Sequence, residues 1–256
     1  MNEPERIPEP GFYGKLPTYG DFIQKRLPRD FIAPWDEWLQ TGIAAAKERL
    51  PSQWLTFYLN CPAWKFVLGS GVCGEQPCAG VTIPSVDKVG RYFNFTLATM
   101  LPLYTVPAHF LIRHFDWLEQ LEELALRTLE QEMDQDQIEA AIGDFSVLPV
   151  SAEPIRPVFD SDQDYLRLTF YEPTEARHQV QALLHELIQA RGGERYGIWM
   201  QQGSTQVNAQ ILCCGAMPST ALFLDLLMNE DAEEVSQATD SEAADADDIL
   251  DKFLAD

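Results

Sequence analysis

Apolar residues alternate with small or polar ones across two neighbouring stretches within Gly80 to Leu101. Val81, Ile83 and Val86 mark one; Phe93, Phe95, Leu97 and Met100 mark the other. A repeat near two is the period of a strand, whose side chains point to opposite faces. Pro84 stops the first strand because it cannot donate to a ladder. Between the strands fall Ser85, Asp87, Lys88, Gly90 and Arg91, so the pattern predicts two strands joined by a charged loop. Gly90 turns the chain there, since it reaches backbone angles other residues resist. The planar fork of Arg91 suits a carboxylate or a phosphate, or a bond back to Asp87.

The remaining pattern alternates between strand and helix periods. GFYGK at 11–15 predicts a first strand, and LPTYGDF a turn in which Asp21 bonds nearby amides. Asp30 is placed to cap a helix carrying Trp35, Trp38, Leu39, Ile43 and Ala46. Pro51 resets the chain, and Trp54 to Leu59 reads as a short turn or helix. Ala63 to Ser70 has strand composition, and a Gly-rich connector leads to Cys78. That connector is no phosphate-binding loop, because no Gly-Lys-Ser/Thr ends it. Pro102 and Pro107 close the sheet; 114–131 and 134–143 follow at helical spacing. Residues 144–173 are weaker, with Tyr165, Leu166, Leu168 and Phe170 in a strand or short helix. A helix is predicted over 176–190, two antiparallel strands over Gly197 to Met200 and Val207 to Cys214, and a last helix from Ser219 to Met228. The fold class is therefore α/β (α+β): an antiparallel sheet flanked by helices, a single-domain sandwich over 11–229. A Pro-rich disordered leader at 1–10 precedes it, and an acidic disordered tail at 230–256 follows.

Charge narrows the function. The net charge is -22. Such acidity repels phosphates and so argues against nucleic acid and anionic membranes. No apolar run approaches the roughly 20 residues of a membrane span, and the N-terminus lacks the pattern of a signal peptide. The expected compartment is the cytosol. The tail concentrates the charge, with 11 acidic residues and one Lys after Asn229. Ile249, Leu250, Phe253 and Leu254 near its end would share one face of a nascent helix, as a docking peptide does.

Candidate chemistry is sparse. Cys61, Cys73, Cys78, Cys213 and Cys214 are odd in number and lack disulfide spacing. Cys73, Cys78, Cys213 and Cys214 could be drawn as a thiolate site, but adjacent cysteines are awkward ligands and buried thiols are the expected state. His109, His114, His178 and His185 lie in no metal motif. Ser85 and Asp87 lack a Gly-x-Ser-x-Gly elbow. Asp87 and Arg91 either hold phosphate or pair with each other. The residues alone predict a protein that binds rather than catalyses, without cofactor or metal.

Four blocks then match a known family in order: GFYGKLPTYGDFI, LPRDFIAPWDEWLQTGIAAA, CPAWKFVLGSGVCG and GVTIPSVDKVGRYFNFTLA. Together they resemble the TagF (ImpM) family of type VI secretion-associated proteins over about residues 11–101. A fainter likeness continues through YGIWMQQG and Met217-Pro218. Where the family has Phe-Pro-Leu and Trp-Trp, this chain has Phe93-Asn94-Phe95 and Ile198-Trp199. The resemblance implies an α/β sandwich and a cytoplasmic post-translational repressor without catalytic activity. It implies binding to the forkhead-associated scaffold protein of the secretion system, and contact with other secretion subunits. Some relatives are fused to a phosphatase of the same pathway. The alternatives are a phosphatase-pathway accessory enzyme using Ser85, Asp87 or a thiolate metal site, or a small-molecule or nucleotide sensor at the 85–91 loop. The partner-binding surface is expected at Gly20, Asp21, Ser85, Asp87, Lys88, Gly90 and Arg91, gathered on one sheet edge.

Overall fold

The computed structural model describes residues 8–143, 145, 165–170, 195–204 and 207–228. Within them the chain runs through Gly11–Gly14 (β1), Ile23–Lys25 (β2), Arg29–Arg49 (α1), Trp54–Asn60 (α2), Trp64–Leu68 (β3), Cys78–Ile83 (β4) and Phe95–Met100 (β5). It continues through Pro107–Arg113 (α3), Phe115–Glu130 (α4), Gln135–Gly143 (α5), Tyr165–Phe170 (β6), Gly197–Gln201 (β7), Ala209–Cys214 (β8) and Thr220–Leu227 (α6). The strands form one sheet in the order β2-β1-β5-β4-β3-β7-β8-β6, every neighbouring pair antiparallel. The antiparallel sheet flanked by helices is the class the residue pattern predicts.

Both faces of the sheet are covered, which explains why β4 is buried at all six positions. Ala79, Val81, Ile83, Phe95, Leu97, Ile198 and Met200 join the core under α3, α4 and α5. Cys78, Ala98, Phe66, Leu68, Trp199 and Leu212 face α1 and α6. Period-two alternation here assigns residues to two cores rather than to a core and a wet face.

The face under α1 is aromatic. Trp35 lies 4.6 Å from Phe66 and 5.7 Å from Trp199, ring centre to ring centre. Trp38 meets Trp199 at 4.9 Å and Phe223 at 5.2 Å, and its indole N–H donates to the Pro218 carbonyl. Stacked and tilted rings add roughly 0.5–1.5 kcal/mol per pair beyond their buried area. On the opposite face Lys65 of β3 is buried and forms an ion pair with Glu122 of α4. That pair fixes where α4 crosses the sheet, because neither charge tolerates the interior alone.

Several boundaries differ from the sequence expectation. α1 starts at Arg29 with Pro28 in the capping position and no side-chain cap, so Asp30 is not the cap. Pro28 already holds an extended φ of -74°, and the Asp30 carboxylate accepts from the neighbouring Phe31 amide instead. The sequence pattern does not mark strand β2 or helix α3: β2 has three residues, and α3 opens with Pro107, which suits a first helical turn as well as a strand end. Tyr165–Phe170 is a strand, pairing with β8. Ser219 caps α6 as expected, accepting from the Leu222 amide at 3.3 Å. Residues 8–10 belonged to the expected leader, yet the carbonyls of Pro8 and Pro10 accept from Thr99 Oγ1 and Arg26 Nε. Residues 1–7, the helix expected over 176–190 and the acidic tail at 230–256 lie outside the described residues.

At the end of β1 nearest the charged loop, Gly14 has φ +139°, and a Cβ there would lie 2.1 Å from the Asn94 carbonyl oxygen. Backbone cannot yield as a side-chain tip can. Gly14→Ala should therefore destabilise the fold by about 2–4 kcal/mol. Urea unfolding measures it, and an unchanged midpoint would mean that β1 shifts freely against β5.

Candidate functional site

The loop between β4 and β5 and the loop between β1 and β2 leave the same end of the sheet and are joined there. Asp87 is the join. Its Oδ2 accepts from Lys15 Nζ at 2.9 Å and from Arg91 Nε at 2.7 Å. Its Oδ1 accepts from the amides of Val89 at 3.0 Å and Arg91 at 2.9 Å. Asp87 also closes the turn through backbone, its N–H donating to the Arg91 carbonyl and its carbonyl accepting from Gly90. Gly90 has φ +85°, the left-handed conformation this turn requires. The Arg91 guanidinium reaches on to the Gly20 carbonyl, and the Lys88 amide donates to the Tyr19 carbonyl at 2.9 Å.

A buried polar chain ties the loop to the core. The Trp35 indole N–H donates to Thr96 Oγ1 at 3.0 Å, and Thr96 and Thr82 hydroxyls lie 3.0 Å apart. Asn94 Nδ2 donates to Thr82 Oγ1, and Asn94 Oδ1 accepts from the Tyr58 hydroxyl at 3.0 Å. That hydroxyl accepts in turn from the Ser85 amide. The Ser85 carbonyl meanwhile accepts from the Phe93 amide at 3.1 Å, and Val86 bridges Tyr92. Low local dielectric makes such a satisfied chain rigid.

Burial of Asp87 by itself would raise its pKa. The Arg91 amide, the Lys15 ammonium, the Arg91 guanidinium and the Val89 amide outweigh that and hold the carboxyl well below the usual carboxylate range. All its strong acceptor directions are spent on these donors, so it is a poor proton acceptor for a substrate. Of the two alternatives for Asp87 and Arg91, they pair with each other.

The seven expected residues are thus brought together at one place but at two depths. Ser85 and Asp87 are each 3% exposed and lie beneath the surface as anchors. Gly20, Asp21, Lys88, Gly90 and Arg91 are exposed above them. The Asp21 carboxylate accepts from the Phe22 amide at 3.0 Å. Three participants escaped the sequence reading. Lys15 carries the second cation on Asp87, and its ammonium lies 4.9 Å from the centre of the Phe22 ring. Phe22 is 41% exposed while stacking on Tyr13 and meeting Phe93 edge-on. Val89 is the most exposed large apolar residue described, at 67%. An apolar Val inside a charged loop was the available signal. Lys15, at the end of a strand 72 positions from Asp87, offered none.

All five cysteines are buried and none is in a disulfide. Burial pushes the Cys61 and Cys73 thiols up to about 12 and raises Cys78 too, so these remain protonated at neutral pH. Among the described residues no group of three or more His, Cys, Asp or Glu is placed to hold a metal ion. His114 is buried against Phe110; burial, then Arg113, lowers its pKa. His178 and His185 lie outside the described residues.

Asp87→Asn should cost on the order of 3 kcal/mol at neutral pH, because it leaves the Lys15 ammonium buried without its counter-charge. A depressed carboxyl pKa contributes stability that is present above the unfolded value near 3.9 and lost as pH falls toward the folded value. The gap between wild type and variant should hold from pH 7 to about 5 and narrow below about 4. Urea unfolding across that range measures it; a gap constant to pH 2 would assign the cost to packing.

Comparisons with known proteins agree with this architecture. The TagF N-terminal domain family, type VI secretion system-associated, matches residues 11–145. The crystal structure of PA0076 from Pseudomonas aeruginosa PAO1 is similar at a TM-score of 0.66 and 31% identity, covering 86% of this chain and 94% of that one. No curated protein matches. No helix among the described residues is long and apolar enough to cross a membrane. The charged loop and its partner turn fall within the matched residues, and the chain belongs to the TagF family of type VI secretion system-associated proteins.

Proposed function

We propose that this chain is a non-enzymatic, post-translational repressor of type VI secretion assembly that works in the cytoplasm by holding a partner on the tip formed by the two joined loops. The partner is the forkhead-associated scaffold protein of the secretion system. Membership of a type VI secretion-associated family supports the process, and the tip supports the mode of action. One observation carries it: the most strongly perturbed carboxylate described is wholly engaged in fixing a surface loop, and none of its capacity is turned toward a substrate. Rigid exposed loops with an apolar tip suit recognition, because little conformational entropy is lost when they are covered.

Lys88, Val89, Gly90, Arg91, Gly20 and Asp21 would meet the partner, with Ser85 and Asp87 supporting them from below. The double variant Lys88→Glu, Val89→Asp alters exposed side chains and keeps the backbone bonds of the turn. Its stability should stay within about 0.5 kcal/mol of wild type. Capture of the scaffold protein should fall at least tenfold, with secretion released in cells. Unchanged capture and repression by this folded variant would overturn the assignment, as would phosphatase turnover or nucleotide binding that is lost with the same substitutions.

A further inference from the structure

The tip departs from the character of the whole molecule. In a chain of net charge -22, it holds Lys15, Lys88 and Arg91 with Asp21 and Asp87; Lys15 is buried on Asp87, which leaves Lys88 and Arg91 exposed beside Asp21. Exposed Phe22 and Val89 stand among these charges. A small cationic spot with two apolar footholds is complementary to an acidic segment that carries apolar anchors. Such a segment exists in this chain. Residues 230–256 hold 11 acidic residues and one Lys, and include Ile249, Leu250, Phe253 and Leu254.

The described chain also stops beside the tip. Met228, the last described residue, packs with Leu50 and Phe57, with Trp54 against the same cluster. The Trp54 ring meets Tyr92 of the tip loop edge-on at 5.4 Å, and Tyr92 adjoins Arg91. One indole thus separates the point of departure from the candidate surface. The 20 residues from Asn229 to Asp248 would span about 25 Å as a flexible chain, ample for the return.

We propose that the acidic segment 240–256 docks on the tip of its own chain, its carboxylates over Lys88 and Arg91 and its Ile249, Leu250, Phe253 and Leu254 face against Val89 and Phe22. It thereby competes with the partner and makes repression depend on displacement of the segment. An intramolecular competitor has a high effective concentration, so even weak contacts keep the tip covered until a tighter partner arrives. This rests on the tip being the partner surface, and the regulation it adds is separable from that reading.

The test uses the purified full-length chain alone, with a photo-crosslinking residue, p-benzoylphenylalanine, at position 89. Irradiation should give a monomer-sized product in which position 89 is joined to peptides from 240–256. The yield should fall at least fivefold when Ile249→Ser and Phe253→Ser are combined, and about threefold with Lys88→Glu. Crosslinks confined to other regions, a product of dimer size, or a yield indifferent to the Ile249 and Phe253 substitutions would each overturn the proposal. Because no partner is present, this result is independent of scaffold capture. If the tip variants lose the scaffold while the tail shows no crosslink, the partner surface stands and the internal competitor does not. If the tail crosslinks while capture is unaffected by the tip variants, the reverse holds.

Discussion

A single carboxylate organises one end of this molecule. Asp87 receives two cations and two backbone amides, and those donors come from the end of β1 and from the turn it occupies. A buried carboxylate without such partners would cost several kcal/mol and neutralise itself. With them, the most economical arrangement is to stay charged and keep both loops in place. Arg91 completes the link, with one edge of its guanidinium on Asp87 and another on the Gly20 carbonyl. A lysine could not span both, because it lacks the planar fork.

The rest of the architecture makes that join possible. β1 lies beside β5 rather than at the end of a separate ribbon, so Gly14 faces Phe95 and Lys15 emerges next to the loop that precedes it. The close approach depends on a residue without a Cβ at position 14. Beneath the loop, the hydroxyl and amide chain from Trp35 to Ser85 connects the aromatic core to the tip. The same core therefore supports both the stability of the sheet and the shape of the exposed surface.

The construction of the tip fits the binding role proposed for it. Its charged groups are either neutralised by one another or held in water, while the five cysteines and His114 are buried. What it offers to solvent is a stiff turn, two cations, the Asp21 carboxylate and two apolar side chains. Recognition of a protein segment asks for little more.

Local chemistry made much of this visible in advance. Alternation of Val81, Ile83, Phe95 and Leu97, the helical spacing of Leu118, Leu121, Leu124 and Ala125, and Ser219 before an apolar run all act over a few residues, so they are written in the chain itself. The density of Asp87, Lys88, Gly90 and Arg91 likewise marked the loop, and four ordered blocks marked the family. Short β2 and the Pro-led α3 were not legible, since three residues carry too little pattern and Pro107 fits either ending or beginning. Only the tertiary structure decided that Ser85 and Asp87 lie under the surface while Val89 and Phe22 lie on it, and that Lys15 supplies the second cation. Depth and partnership are set by which strands become neighbours. β1 and β5 are joined across 80 intervening residues, a choice made by the packing of two cores and not by any short stretch of sequence.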